Sequence, residues 1–323
     1  MNGILYLSRK DIETLEIPMK TVIQVVEDAF REKASAKVEV PPKPGIHPRQ
    51  NAFIHAMPAW IPRMEAAGVK WVSGFPENPK QNLPYISGLL ILNNPKTGLP
   101  ISVMDCTWIT AKRTGAATAV AAKYLAHPDS RVVGIIGCGV QGRSNLEALK
   151  LVCFNLEQVQ AYDINKANLE KYVDEMKLKH RIAVTAANSP RNAVTDCDVV
   201  VTAGPILRKP KPIIEDSWLK PGGLACPLDF DSYWKLKTIQ EMDKFYTDDK
   251  NQLEYYQKHG FIRARPPVYA ELSELVTGKK PGRENVDERI MSMNLGLAIE
   301  DIATASLIYE RAVQKKVGVK LPL

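Results

Sequence analysis

The segment Val132-Val133-Gly134-Ile135-Ile136 has no polar residue on either face. A strand buried on both sides, as in a parallel sheet, reads this way. Gly137-Cys138-Gly139-Val140-Gln141-Gly142 follows at once, in the spacing GxGxxG, and Ser144 to Leu151 then reads as a helix. Strand, glycine turn and helix in that order constrain the chain more than any other segment. The first glycine makes the tight turn, the second lets a pyrophosphate approach the backbone, and the third packs helix against strand. The helix N-terminus adds partial positive charge. A dinucleotide site is predicted here.

Further strands are expected at Gln158 to Tyr162, Ile182 to Thr185 and Val199 to Thr202, with helical segments between the first three. Strand–helix alternation implies a doubly wound parallel sheet. Asp163 ends the second strand, 26 residues after Gly137. A carboxylate there accepts from both ribose hydroxyls and repels a 2′-phosphate, which favours NAD over NADP.

The chain before Arg131 has a different texture. Ser8 and Asp11 form a weak capping box ahead of a short helix. After Pro18, the residues Val22, Val25, Val26, Ala29 and Phe30 make one apolar stripe of a second helix. Pro41-Pro42-Lys43-Pro44 fixes an extended loop. Strands are expected at Val69–Ser73, Gly88–Leu92 and Leu99–Met104, the last two as a hairpin across Asn93 to Gly98. Thr107 to Ala126 is alanine-rich and reads as a helix whose small side chains permit close approach. Leu295 to Val313 is an amphipathic helix.

At 323 residues the chain has room for two domains. No apolar run approaches the roughly 18 residues of a membrane span. The net charge of +7 comes from 43 basic residues scattered among 36 acidic ones, with no dense basic block. A solvated surface is expected rather than a nucleic-acid footprint, with some attraction for an anionic substrate or cofactor. The five cysteines are odd in number and lack CxxC spacing. That argues against a disulfide framework and a zinc site, and suits a reducing cytoplasm.

Several residues are open to both a chemical and a bland reading. Lys70 points opposite Val69 and Trp71, and is either a solvated edge-strand lysine or a buried one needing an anion. Arg113 is either a surface salt-bridge residue or a bidentate carboxylate fork. Asp229 and Asp231 would point the same way from an extended segment, so like charge could raise one pKa for acid–base work. Otherwise they are solvated turn carboxylates. His47 and His55 have no catalytic constellation, and Met57-Pro58-Ala59-Trp60 reads as core.

Together, Met57-Pro58-Ala59, Val69-Lys70, Ile109 to Ala116, Gly137 to Gln141 and Leu295 to Asp301 resemble the ornithine cyclodeaminase/mu-crystallin family. The resemblance runs from about Pro41 to Tyr309. It implies an α/β fold: a Rossmann NAD-binding domain at 121–301, and an α/β substrate and dimerisation domain at 1–120 with 302–323. The active site would lie in the cleft between them, in a homodimer. Lys70 looks like the family's active-site lysine, and Arg113 like its carboxylate-binding arginine. Lys43 stands where an arginine is usual, and Asp231 aligns with the acid–base aspartate, although Leu228-Asp229-Phe230 departs from the usual small residues. Met57 and His55 complete the expected substrate contacts. Thr114, Gly137, Gly139, Val140, Gln141, Gly142, Asp163 and Thr202 are the expected cofactor contacts.

Two departures bear on substrate. Arginine to lysine at Lys43 loses bidentate geometry. His55 replaces a glutamate that would meet a distal amine, which weakens an ornithine reading. The implied activity is an NAD-dependent oxidoreductase at the α-carbon of a small amino acid or its imine. The alternatives are an ornithine cyclodeaminase-type ammonia-lyase using NAD catalytically, and a non-catalytic, crystallin-like NAD(P)H-binding protein.

Overall fold

The computed structural model describes residues 3–35 and 37–323. In chain order the elements are β1 (Gly3–Leu7), α1 (Arg9–Thr14), α2 (Met19–Lys33), β2 (Gly45–Ile46), β3 (Phe53–Ile61), β4 (Ala66–Gly74), β5 (Ile86–Asn93), β6 (Pro100–Asp105) and α3 (Thr107–Leu125). Then come β7 (Val132–Ile136), α4 (Val140–Leu149), β8 (Gln158–Tyr162), α5 (Lys166–His180), β9 (Ala183–Ala186), β10 (Val199–Thr202) and β11 (Leu224–Pro227). The remainder is α6 (Leu236–Gln240), β12 (Lys244–Thr247), α7 (Lys250–Lys258), β13 (Ala270–Glu271), α8 (Leu272–Val276), β14 (Ile290–Met293), α9 (Ala298–Lys315) and β15 (Val319–Pro322).

The chain divides into two compact units. One holds everything up to Arg113 together with Gly296–Leu323, and the other holds Thr114–Leu295. The cuts thus differ from the expected 120/121 and 301/302. From Gly115 onward α3 packs against α4: a Cβ on Gly115 would lie 2.6 Å from the Ser144 carbonyl oxygen. At the other cut, Gly296 already belongs with Lys43, whose Nζ donates to its carbonyl.

The first unit is a seven-stranded sheet in the order β15-β1-β6-β5-β4-β3-β2. Strands β3 to β6 form an antiparallel meander, with the predicted hairpin at β5 and β6. The strand pattern did not reveal β3, because Pro58 interrupts it. Its geometry explains the tolerance. Ala56 and Trp60 donate their outer-edge N–H groups to Pro44 and Glu39, and Pro58 falls between them, where no ladder partner is needed. Helix α9 lies on β3, β4 and β5, and α2 packs on α9. The capping box at Ser8 and Asp11 forms as predicted.

The second unit is an eight-stranded, wholly parallel sheet, β13-β12-β14-β11-β10-β7-β8-β9. The strand order reverses between β7 and β10, and in such sheets ligands bind beyond the strand C-termini at that point. The glycine turn follows β7 there. No helix of the described residues is long and apolar enough to cross a membrane.

Candidate functional site

The charged groups of the first unit converge around one residue. Lys70 lies on β4, paired with β3 on one side and β5 on the other, so the edge-strand reading is corrected. Alternation puts Trp71 on the exposed face and Lys70 on the face covered by α9. There Lys70 is wholly buried beside its cross-strand neighbours Met57 and Leu90. Its Nζ donates to Asp301 Oδ1 at 2.6 Å. Arg113 donates to the same oxygen through Nε at 3.0 Å, and to Glu300 Oε2 at 3.0 Å. It is buried too, so the surface reading is also corrected. Lys43, buried, donates to the Gly296 carbonyl at 3.0 Å. Gly296 has φ +79°, and a Cβ there would strike the Arg113 guanidinium.

Three cationic side chains and two carboxylates thus meet in this cluster. Burial pulls the Lys70 pKa down, Asp301 opposes it, and Arg113 adds to the fall. Burial pushes Glu300 up, against the pull of Arg113 and the Leu297 N–H. His55 sits on β3 two residues before Met57, stacked on Phe53 at 4.4 Å between ring centroids. Burial first, then the positive field of Lys43, then His47 and Lys70, lowers its pKa to about 3. Its imidazole is therefore neutral at physiological pH.

Glu300 and Asp301 went unassigned in the sequence, although their segment was noted. The available signal was two acidic residues between Ile299 and Ile302, where an amphipathic helix should be apolar. All four are fully buried.

The glycine turn of the second unit fits a dinucleotide. Gly137 has φ +99°, as the sharp turn after β7 requires. A Cβ on Gly139 would meet nothing within 4 Å, so that side of the turn is open. A Cβ on Gly142 would lie 2.3 Å from the Gly137 oxygen, which is the close packing expected of the third glycine. Gly139 is the N-cap of α4 and no side chain caps that helix, so its N-terminus presents the partial positive charge that suits an anion. The helix starts at Val140, four residues earlier than expected, with Val140 exposed and Gln141 half-buried. Asp163 accepts from the Cys138 N–H at 2.8 Å and from the Asn165 N–H at 2.8 Å. It therefore braces the turn as well as ending β8. Thr114, half-buried in α3, is the first residue of this unit.

Thr202, at the end of β10, is fully buried. Its hydroxyl donates to Asp229 Oδ1 at 2.8 Å and accepts from Trp234 Nε1 at 3.1 Å, so it is spent internally. Asp229 also accepts from the Gly204 N–H at 3.0 Å. The segment after β11 is not extended: Phe230 adopts φ +60°, and the two aspartates diverge. Asp231 Oδ2 accepts from the backbone N–H of Arg263 at 2.7 Å and of Ala264 at 3.2 Å. Its Oδ1 is buried without a partner among the described residues. Burial lifts Asp229 to about 7, against its bonds from Thr202 and Gly204, while Asp231 adds only the smallest part. One raised pKa was expected, but desolvation rather than like charge is its main cause.

The ornithine cyclodeaminase/mu-crystallin family model matches residues 5–316. Alanine dehydrogenase of Archaeoglobus fulgidus is 37% identical over 333 residues, covering 98% of each chain. Among solved structures, Thermococcus litoralis Δ1-pyrroline-2-carboxylate reductase, in complex with NADH and L-proline, is 38% identical. It superposes with a TM-score of 0.89 over 98% of this chain and 100% of its own. An archaeal alanine dehydrogenase dimer with bound NAD is 35% identical, with a TM-score of 0.87 over 99% of both. The chain belongs to the ornithine cyclodeaminase/mu-crystallin family.

Proposed function

We propose that this chain is an NAD-dependent oxidoreductase acting at the α-carbon of a small amino acid or its imine. The observation that carries this reading is the buried cluster of Lys43, Lys70 and Arg113 with Glu300 and Asp301. A buried cluster that gathers three cationic side chains is suited to gripping a carboxylate through charge-assisted hydrogen bonds. The relatives named above, at 35–38% identity, are an alanine dehydrogenase and a pyrroline-2-carboxylate reductase.

NAD(H), when bound, supplies or accepts the hydride. The turn Gly137 to Gly142 with the N-terminus of α4 would hold its phosphates, Asp163 its ribose, and Thr114, Val140 and Gln141 its flanks. Thr202 would help only through its backbone. Lys70 and Arg113 hold the substrate carboxylate, and their charge favours an electron-poor imine carbon beside it. The neutral His55 lies in the field of Lys43 and Lys70. That field repels a distal ammonium, which favours substrates without one over ornithine. The acid–base role expected of Asp231 passes in this reading to Asp229, which titrates near neutral pH while Asp231 ties down a backbone turn.

We also place the chain in a homodimer. Trp60, Trp71 and Leu89 are exposed on the sheet face opposite Lys70, where a second copy would cover them. Light scattering should give twice 36.0 kDa, and Trp71→Glu should give monomers. The five cysteines, all free and buried, suit a cytoplasmic location.

The activity is tested by offering alanine with NAD, NADH with pyruvate and ammonia, NADH with Δ1-pyrroline-2-carboxylate, and ornithine with NAD. Reduced-nicotinamide absorbance and product masses are followed. Net cofactor turnover with the first three sets is expected. Proline and ammonia from ornithine, with no net change in NADH, would overturn the oxidoreductase reading in favour of a cyclodeaminase.

A further inference from the structure

A single oxygen, Asp301 Oδ1, accepts from both Lys70 Nζ at 2.6 Å and Arg113 Nε at 3.0 Å. The lysine comes from the centre of the sheet, the arginine from α3, and the acceptor from the first turn of α9. Asp301 is fully buried, and its second oxygen, Oδ2, has no partner among the described residues. A carboxylate that uses one oxygen twice and the other not at all is arranged around its cations rather than for its own solvation. We propose that Asp301 is a positioning residue: by bridging Lys70 and Arg113 it sets their spacing for one substrate carboxylate and holds the charge on Lys70. This rests on the substrate reading above, and assigns a role to a residue outside the expected set.

The groups that face Lys70 can be named element by element. Asp301 comes from α9, Arg113 from α3, Cys106 from the residue after β6, and His55 from β3, itself in the field of Lys43 from the loop before β2. Burial and Arg113 act to discharge Lys70, and Asp301 is the largest influence in the other direction. Cys106 is itself pushed up to about 11 by burial, so it is a neutral thiol. His55 is neutral as well. No second anion in this set can replace Asp301. Glu300 hydrogen-bonds Arg113 and lies as a like charge beside Asp301.

The test reads Lys70 directly. The protein is labelled with [ε-13C]lysine, the Lys70 signal is identified by its absence in Lys70→Arg, and its titration is followed by NMR. Asp301→Asn should lower the midpoint by about 2 pH units, in keeping with loss of a contacting opposite charge. Glu300→Gln should move it by less than half as much. The alkaline limb of the imine-reduction profile should fall in step with the Asp301→Asn midpoint. An unchanged midpoint in Asp301→Asn overturns the assignment, even if the enzyme is active. Should that variant fail to fold, Arg113→Gln gives a second reading. With Asp301 devoted to Lys70, the midpoint should rise, and a fall or no change overturns the assignment. Because these midpoints do not depend on turnover, a shift in a protein silent on every substrate supports Asp301 while sinking the substrate reading alone.

Discussion

The charged cluster of the first unit and the glycine turn of the second prepare for anions by opposite means. The turn offers backbone: N–H groups at an uncapped helix end, one open glycine, and a packing glycine behind it. Its parts are six consecutive residues. The cluster offers full charges on long side chains, taken from residues 43, 70, 113, 300 and 301 and desolvated under α9. A backbone site carries no formal charge, so it needs no counter-ions. A side-chain site of three cations must carry its own carboxylates, and those carboxylates then govern the cations.

The sharpest way to break this comparison is to remove the charge at the centre of the cluster. Lys70→Met keeps the aliphatic stem and drops the ammonium. Turnover should fall by at least about a thousandfold, the scale of losing a preorganised charge in a dry site. NADH affinity, measured by fluorescence titration, should stay within about twofold, because Lys70 and the glycine turn belong to different units. Loss of NADH binding would show that the two sites are not energetically separate.

Legibility in the sequence follows the same division. The strand–turn–helix at 132–149 was readable because each part is local: an apolar run, three glycines at fixed spacing, and a helix. β8 and β10 match their expected bounds for the same reason. Lys70 was ambiguous because its strand pattern fits an edge or a centre equally well, and only pairing with β3 decides. That strand was hidden by Pro58, whose harmless position depends on Glu39 and Pro44 at the outer edge. Glu300 and Asp301 were invisible as a site because their partners lie 187 and 231 residues away. The Asp229–Asp231 pair misled in a different way. Spacing of two implies a shared face only while the chain is extended, and Phe230 at φ +60° ends that.

A smaller effect tests the second unit's own buried charge. If Asp229 holds the exchangeable proton, Asp229→Asn should reduce turnover by about a hundredfold, the lower range for general acid–base catalysis. Its stability signature is independent of activity. The folded carboxyl titrates at about 7 and the unfolded one near 3.8. The folded state therefore keeps a proton that the unfolded state has lost. That favourable contribution is complete below about 3.8 and is lost as pH rises to 7. Relative to wild type, Asp229→Asn should be least favoured near pH 4 and gain steadily up to pH 7, with no further change above. A difference in denaturant midpoints that is flat across this range would remove Asp229 as the titrating group, and restore Asp231 to the acid–base role.

The smallest expected effect concerns a place where the backbone site leans on a carboxylate side chain. Asp163 Oδ2 accepts from the Cys138 N–H inside the glycine turn. Substitution there mixes two losses, the brace on the turn and the charge offered to the ribose. Asp163→Asn separates them, since its amide oxygen still accepts from Cys138 while the negative charge is gone. NADH affinity should drop by about tenfold, within the range of a charge-assisted hydrogen bond. NADPH affinity should rise, because the repulsion of a 2′-phosphate has been removed. Asp163→Ala loses the brace as well, so both cofactors should bind more weakly than to Asp163→Asn. If the two variants give the same NADPH to NADH ratio and the same absolute affinities, the brace is worth nothing. If the ratio in Asp163→Asn equals that of wild type, Asp163 does not read the ribose, and its role is confined to holding the turn.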